Sequence, residues 1–237
     1  MKAFAALFLA SIVVSVSIIA SPALVYNEPS VGVKERDWIE YGVSMNGTGS
    51  MPPTHDVSGF RIEVLPVQGT AFSVNLTARY ANGTIGSAIW KFNFTEGNVG
   101  GWIIIPSNLG PGDKFYDYSI HTGIPVNVTI ESQEQKVVLG ATRMVTYAHD
   151  SLRHKEWDKA TGVFVGTTEV YKNVTTKTGW HIEDLTVSVK AIATNMWSPD
   201  LILGLNPAVF YTLITAIIVL TALILSLVMV LARRKRK

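Results

Sequence analysis

Between Asn27 and Asn195 hydrophobic and polar residues alternate along much of the chain, and no stretch there carries a helical period. Phe72, Val74, Leu76, Ala78 and Tyr80 alternate with Ser73, Asn75, Thr77 and Arg79. After Asn82-Gly83, a strong hairpin signal, Gly86, Ala88, Trp90 and Phe92 share one face. The register of this hairpin follows from burial. A two-residue loop sets Asn75 opposite Trp90 and mixes polar with apolar on both faces. A three-residue loop, Ala81-Asn82-Gly83 with Gly83 left-handed, sets Val74 opposite Trp90 and Phe72 opposite Phe92, and leaves Asn75 and Asn93 on the other face. Because a one-residue slip inverts every side chain, the second register is expected. A second hairpin is predicted at residues 157–164, with Asp158 accepting from loop amides, Gly162 left-handed and Trp157 across from Phe164.

Further strands are expected at 38–43, 60–67, 114–118, 126–131, 136–148 and 185–193, with a tight turn at 108–113. Sequential strands on short turns predict an all-β domain, an antiparallel meander forming a curved sheet or a two-sheet sandwich. Its core is expected to be aromatic: Trp38, Phe60, Phe72 and Trp90, together with Phe92, Trp102 and Trp157.

The two ends break this pattern. Lys2 followed by the apolar run Ala3 to Ala20, with small residues at Ala20, Ser21 and Ala23, has the layout of a cleavable export signal over 1–23. From Ala208 to Ala232 no residue is charged, long enough for a C-terminal transmembrane α-helix over 207–232. Asn206-Pro207 is a good helix opening, and Tyr211 lies near the expected outer interface. The basic stub 233–237, beginning Arg233, Arg234, Lys235, is expected to stay cytoplasmic, which puts the domain at 24–195 outside the cell. The juxtamembrane segment 196–206 is rich in apolar residues, and Trp197 is expected there as an interfacial anchor. That arrangement would seat the domain on the lipid bilayer and bring any ligand close to the membrane surface.

Charge divides by compartment. All 18 acidic residues lie between Glu28 and Asp200, and that stretch holds 14 of the 20 Lys and Arg, so it is about −4 although the whole chain is +2. No basic face for nucleic acid results. The absence of cysteine excludes disulfides, thiolate metal sites and a cysteine nucleophile. Asn46, Asn75, Asn82, Asn93, Asn127 and Asn173 each begin an Asn-x-Thr sequon, an enrichment that points to a glycosylated outer surface. Sequons without cysteine favour an archaeal cell surface over a eukaryotic one.

Candidate chemistry is sparse. His149, His154 and Asp158 would ligate a metal if they converged, but their spacing fits no standard site, and 149–158 reads as a charged connection between strands. Asp113, Asp117 and His121 read as a solvated loop, and His181, Glu183 and Asp184 as a polar edge. No nucleophile elbow or ordered triad is present, and no catalytic residue, metal site or cofactor is expected.

Asp37-Trp38-Ile39-Glu40-Tyr41, Gly112-Asp113-Lys114-Phe115-Tyr116 and Trp157-Asp158-Lys159-Ala160-Thr161-Gly162 together resemble uncharacterised archaeal surface proteins with one C-terminal helix. The last segment is also similar to the aromatic-Asp-x-x-Thr-Gly hairpin of lipoprotein-carrier-like curved sheets of the LolA type. The resemblance implies a non-enzymatic protein. The expected function is a cell-surface module that binds envelope glycan, a surface-layer protein, a partner ectodomain or an apolar ligand. A tethered lipid carrier is the first alternative and a secreted hydrolase the second.

Overall fold

The computed structural model describes residues 29–95, 102–118, 125–149, 153–176 and 179–234. The export signal, His121 and Lys235 lie outside the described residues. Among them the chain forms eleven strands and one helix. The strands are β1 (Trp38–Gly47), β2 (Val57–Val64), β3 (Ala71–Tyr80), β4 (Ile85–Asn93), β5 (Lys114–Tyr118), β6 (Pro125–Thr129), β7 (Ser132–Val138), β8 (Ala141–His149), β9 (Arg153–Asp158), β10 (Phe164–Thr175) and β11 (His181–Thr194); the helix is α1 (Pro207–Arg234).

Nine of the described strands make one antiparallel sheet in the order β4-β3-β2-β1-β11-β10-β9-β8-β7, and β5 and β6 pair separately. The sheet is therefore two meanders, β1 to β4 and β7 to β11, joined where the first strand meets the last. Tyr41 pairs with Ala191 and Val43 with Val189 across that central seam. It is a single sheet rather than a sandwich.

Turn chemistry explains much of this. The β3–β4 loop spans three residues with Gly83 at φ +85°, and Val74 faces Trp90 as Phe72 faces Phe92. Between β9 and β10, Asp158 accepts from the Thr161 amide at 2.9 Å and the Thr161 hydroxyl at 2.7 Å, and Gly162 sits at φ +70°. Trp157 pairs with Phe164 as expected.

Two expectations about the strands are corrected, and Trp38, expected in the core, proves to lie on the other face. Residues 136–148 are not one strand: the chain reverses at Leu139-Gly140, with φ of +52° and +81°, to form the β7–β8 hairpin. Leucine at the first left-handed position hides this turn from a reading that seeks Asn or Gly there. Nor is 149–158 a loop, for Arg153–Asp158 is the inner strand β9.

The core lies on one face of the sheet. Ile39, Tyr41, Ile62, Val74, Trp157 and Ile182 are essentially inaccessible there. The chain between β4 and β7 folds back over part of this face: Ile103, Ile104 and Ile105 are buried against it, and Phe115 of β5 meets Trp157 edge-on at 5.3 Å. Phe72, Phe92, Trp102 and Trp157 are core residues, Phe60 and Trp90 are half-buried beside them, and Trp38 is on the other face under the Arg61 guanidinium at 4.1 Å.

No residue of α1 between Pro207 and Met229 is buried, and this stretch is apolar enough to cross a membrane. Its opening is capped as expected, with the Ala208 amide donating to Asn206 Oδ1 at 2.9 Å. The hydroxyls of Thr212, Thr215, Thr221 and Ser226 each return to a carbonyl one turn back, at 2.7 to 2.8 Å, which satisfies them within the helix.

Candidate functional site

Strand alternation sends one set of side chains from β1 to β4 onto the inner face. The returning segment at Trp102 and Ile103 packs on the neighbouring part of that face and, among the described residues, forms one wall of a depression against β3 and β4. Among the described residues this depression is an apolar groove of about 320 Å³. Its walls include Met45, Met51, Phe60, Leu76, Trp90 and Ile103. Thr54 and His55, in the β1–β2 connection, stand at its rim.

The Trp102 wall is fixed by specific contacts. Its carbonyl oxygen accepts from Trp157 Nε1 at 2.7 Å, and its ring meets Phe164 edge-on at 4.4 Å. Tyr41 stacks on Phe60 at 4.6 Å and donates its hydroxyl to the Phe164 carbonyl oxygen at 2.8 Å; burial pushes that phenol well above its ordinary pKa.

Glu169 reaches the groove from β10 and belongs to a buried charged set that alternation carries inward. Glu169 faces Arg153 across the β9–β10 pair, their side chains 4.0 Å apart, and accepts from the Tyr171 hydroxyl. Lys155 lies beside them with its ammonium 5.3 Å from the Trp102 ring centre. Burying charge is costly even when it is paired, so a buried carboxyl at Glu169 among apolar groove walls, with Arg153 and Lys155 buried behind it, is chemically unlike the rest of the core. Sequence reading missed these residues because the charges of 153–158 outweighed the alternation Arg153, Lys155, Trp157, which was the available signal.

The titratable clusters flagged in the sequence fall elsewhere. His149 and His154 are cross-strand partners on the outer face, with His154 Nδ1 and His149 Nε2 2.6 Å apart. Glu131 Oε2 lies 2.7 Å from His149 Nδ1, and that hydrogen bond holds the Glu131 carboxyl below its ordinary pKa. Asp158 does not join them: it is buried in a two-pronged pair with Arg143, at 2.8 and 2.9 Å. Among the described residues no group of three or more His, Cys, Asp or Glu converges as a metal site. Asp113 closes its turn by accepting from the Gly110 amide at 2.8 Å. His181 meets the Thr175 hydroxyl at 3.2 Å, and Glu183 and Asp184 are exposed.

Each sequon asparagine is at least partly accessible: Asn46, Asn82, Asn127 and Asn173 are exposed, Asn75 and Asn93 half-buried. Of the residues expected as anchors, Tyr211 is exposed on α1, which also contains Arg233 and Arg234. Trp197 packs back on the sheet: its Nε1 donates to the Val138 carbonyl oxygen at 3.2 Å, and the Arg143 guanidinium lies 4.9 Å from its ring centre. Compared with known proteins, the chain matches no family model, no curated protein and no solved structure.

Proposed function

We propose that this protein is a membrane-anchored surface module that binds its ligand without transforming it, and that the groove on the inner face seats an aliphatic chain of that ligand. The observation that carries the reading is the groove itself: about 320 Å³, walled by Met45, Met51, Leu76, Trp90 and Ile103. Flexible methionines beside aromatic rings suit a chain of variable shape, and concave apolar sites with few polar groups are the usual form of a ligand pocket. α1 provides the anchor, and the basic residues that end it favour a cytoplasmic stub and an outward-facing domain. Accessible sequon asparagines agree with a glycosylated outer face.

Position supports delivery from outside. Thr194, from which the chain leaves for α1, pairs with Ile39 at the start of β1. Met45, Met51 and Thr54 belong to the other end of β1 and the connection beyond it. A ten-residue strand is about 30 Å long, so a ligand entering past Thr54 comes from the side away from α1. This differs from the expectation of a ligand held at the membrane surface.

The test uses the full chain in lipid vesicles with a diazirine-bearing fatty acid. Adducts are expected on Met45, Met51 or Trp90, and Leu76→Trp, which fills the groove, should abolish them while adducts on α1 persist. Adducts confined to α1 in the unsubstituted protein would overturn the reading.

A further inference from the structure

The segment joining the sheet to α1 is held down and then turned outward. Trp197 packs against the small cluster of Val138, Val145, Tyr147 and Val165, and the Asp200 amide donates to the Gly140 carbonyl oxygen at 2.8 Å. Asp200 Oδ2 accepts from both the amide and the hydroxyl of Thr142, at 2.7 and 2.6 Å. Residues 197–200 thus clamp the chain to the tip of the β7–β8 hairpin.

Immediately beyond the clamp the chain makes a tight turn. The Ile202 amide donates to the Leu205 carbonyl oxygen at 2.9 Å, and the Leu205 amide to the Ile202 carbonyl oxygen at 3.0 Å. The central residues, Leu203 and Gly204, are both left-handed, with φ of +51° and +79°. Asn-Gly is the pair such a turn prefers, and a left-handed leucine is strained. Leu203 is also 87% exposed and Leu201 63% exposed. An asparagine at 203 would suit both the turn and water. Leucine suits neither, and it gains nothing by packing on the domain.

The next residues are Asn206, which caps the helix, and Pro207, where the apolar span begins. The exposed leucines therefore stand at the level where α1 enters the membrane. We infer that the turn Ile202–Leu205, with Leu201, inserts into the outer leaflet of the bilayer, and that the clamp at Asp200 couples this insertion to the sheet. The domain is then held in a fixed posture on the membrane, which keeps the groove mouth directed away from it. Trp197 serves the clamp, and the leucines serve as the anchor that the sequence assigned to Trp197.

This inference rests on the reading of α1 as a membrane anchor, and the test separates the two. The chain has no cysteine, so single cysteines carry a fluorescent label cleanly. Full-length Leu201→Cys, Leu203→Cys, Leu220→Cys and Asn82→Cys would be labelled with bimane in phosphatidylcholine vesicles. Each would be quenched in turn by a nitroxide on a shallow acyl carbon and by aqueous iodide. The labels at 201 and 203 should show at least half the lipid quenching of the label at 220 and a clear loss of iodide quenching relative to 82. Leu203→Asn, made in the Leu201→Cys background, should restore iodide access at 201 while the domain stays folded. Free iodide access at both 201 and 203, with the 220 label quenched by lipid, would overturn the insertion alone. A 220 label untouched by lipid quencher would overturn the anchor and the insertion together.

Discussion

The Trp157 indole donates its hydrogen bond to the backbone carbonyl of Trp102, 55 residues away, at 2.7 Å. This contact fastens the returning segment over the inner face and so defines the closed boundary of the groove. Trp157 is fully buried. Trp157→Ala should cost about 3–5 kcal/mol, the range for large-to-small core changes. Trp157→Phe keeps much of the packing but strands the buried Trp102 carbonyl, at a cost of about 1–3 kcal/mol. Urea denaturation of the full chain checks both. A phenylalanine variant as stable as the parent would mean that the bond does not hold the segment in place.

Trp90 should behave differently. It pairs with Val74 in the expected register but is only half-buried, because its far side borders the groove. Trp90→Ala should therefore cost less than Trp157→Ala, about 2 kcal/mol, below the full core range, and should also weaken capture of an aliphatic probe. Equal losses of stability from the two substitutions would show that Trp90 is a core residue and that the groove is closed in solution.

These two tryptophans also show where sequence reading succeeds and stops. The Val74–Trp90 register and the Asp158–Gly162 loop were readable because a local turn and a period of two determine them together. The seam between β1 and β11 was not, since Tyr41 and Ala191 carry no local signal that they meet. The groove depends on the apolar run from Trp102 to Ile105, whose packing on the sheet has no period to reveal it. Arg153, Lys155 and Glu169 were missed because charge is normally a mark of solvent exposure, and here alternation prevails over it.

Gly162 tests the second hairpin. At φ +70° an added Cβ would fall 2.0 Å from the Ile105 carbonyl oxygen, so the substitution is both strained and blocked by backbone. Gly162→Ala should cost more than the roughly 1 kcal/mol of a left-handed alanine alone. Gly83→Ala is the control: it is left-handed too, at φ +85°, but its Cβ would meet nothing within 4 Å. Equal costs at the two sites would show that the contact with Ile105 is not made.

Glycosylation is expected first at Asn82. It is exposed at the tip of the β3–β4 hairpin, and its Oδ1 accepts from the Thr84 hydroxyl at 2.7 Å within the sequon. Asn93 is half-buried, and its Oδ1 faces the Thr70 hydroxyl and the Thr95 amide. Peptide mass spectrometry of native protein should show higher occupancy at Asn82 than at Asn93. Unmodified peptides at all six sequons would remove this support for an outward-facing surface.

The clamp that precedes the helix should loosen in acid. The Asp200 carboxyl is held below its ordinary pKa, first by the Thr142 hydroxyl, then by the Thr142 amide, with help from the positive charge of Arg143. A carboxyl whose folded pKa lies below its unfolded value contributes its stability above the unfolded value, about 4. That contribution is lost as pH falls through the lower, folded value. The contact between this segment and the β7–β8 hairpin should thus be intact at neutral pH and weaken only in acid. The contact of Glu131, whose carboxyl is lowered in the same sense first by its hydrogen bond with the His149 ring, should weaken likewise at the other end of β8. The nuclear magnetic resonance signal of the Thr142 amide, followed in full-length protein, should titrate with a midpoint below about 4. In Asp200→Asn that titration should vanish, because the carboxamide still accepts from Thr142 but cannot be protonated in this range. A Thr142 amide that titrates identically in the asparagine variant would mean that another group controls it, and that the Asp200 carboxyl does not tie the sheet to the segment leading into α1.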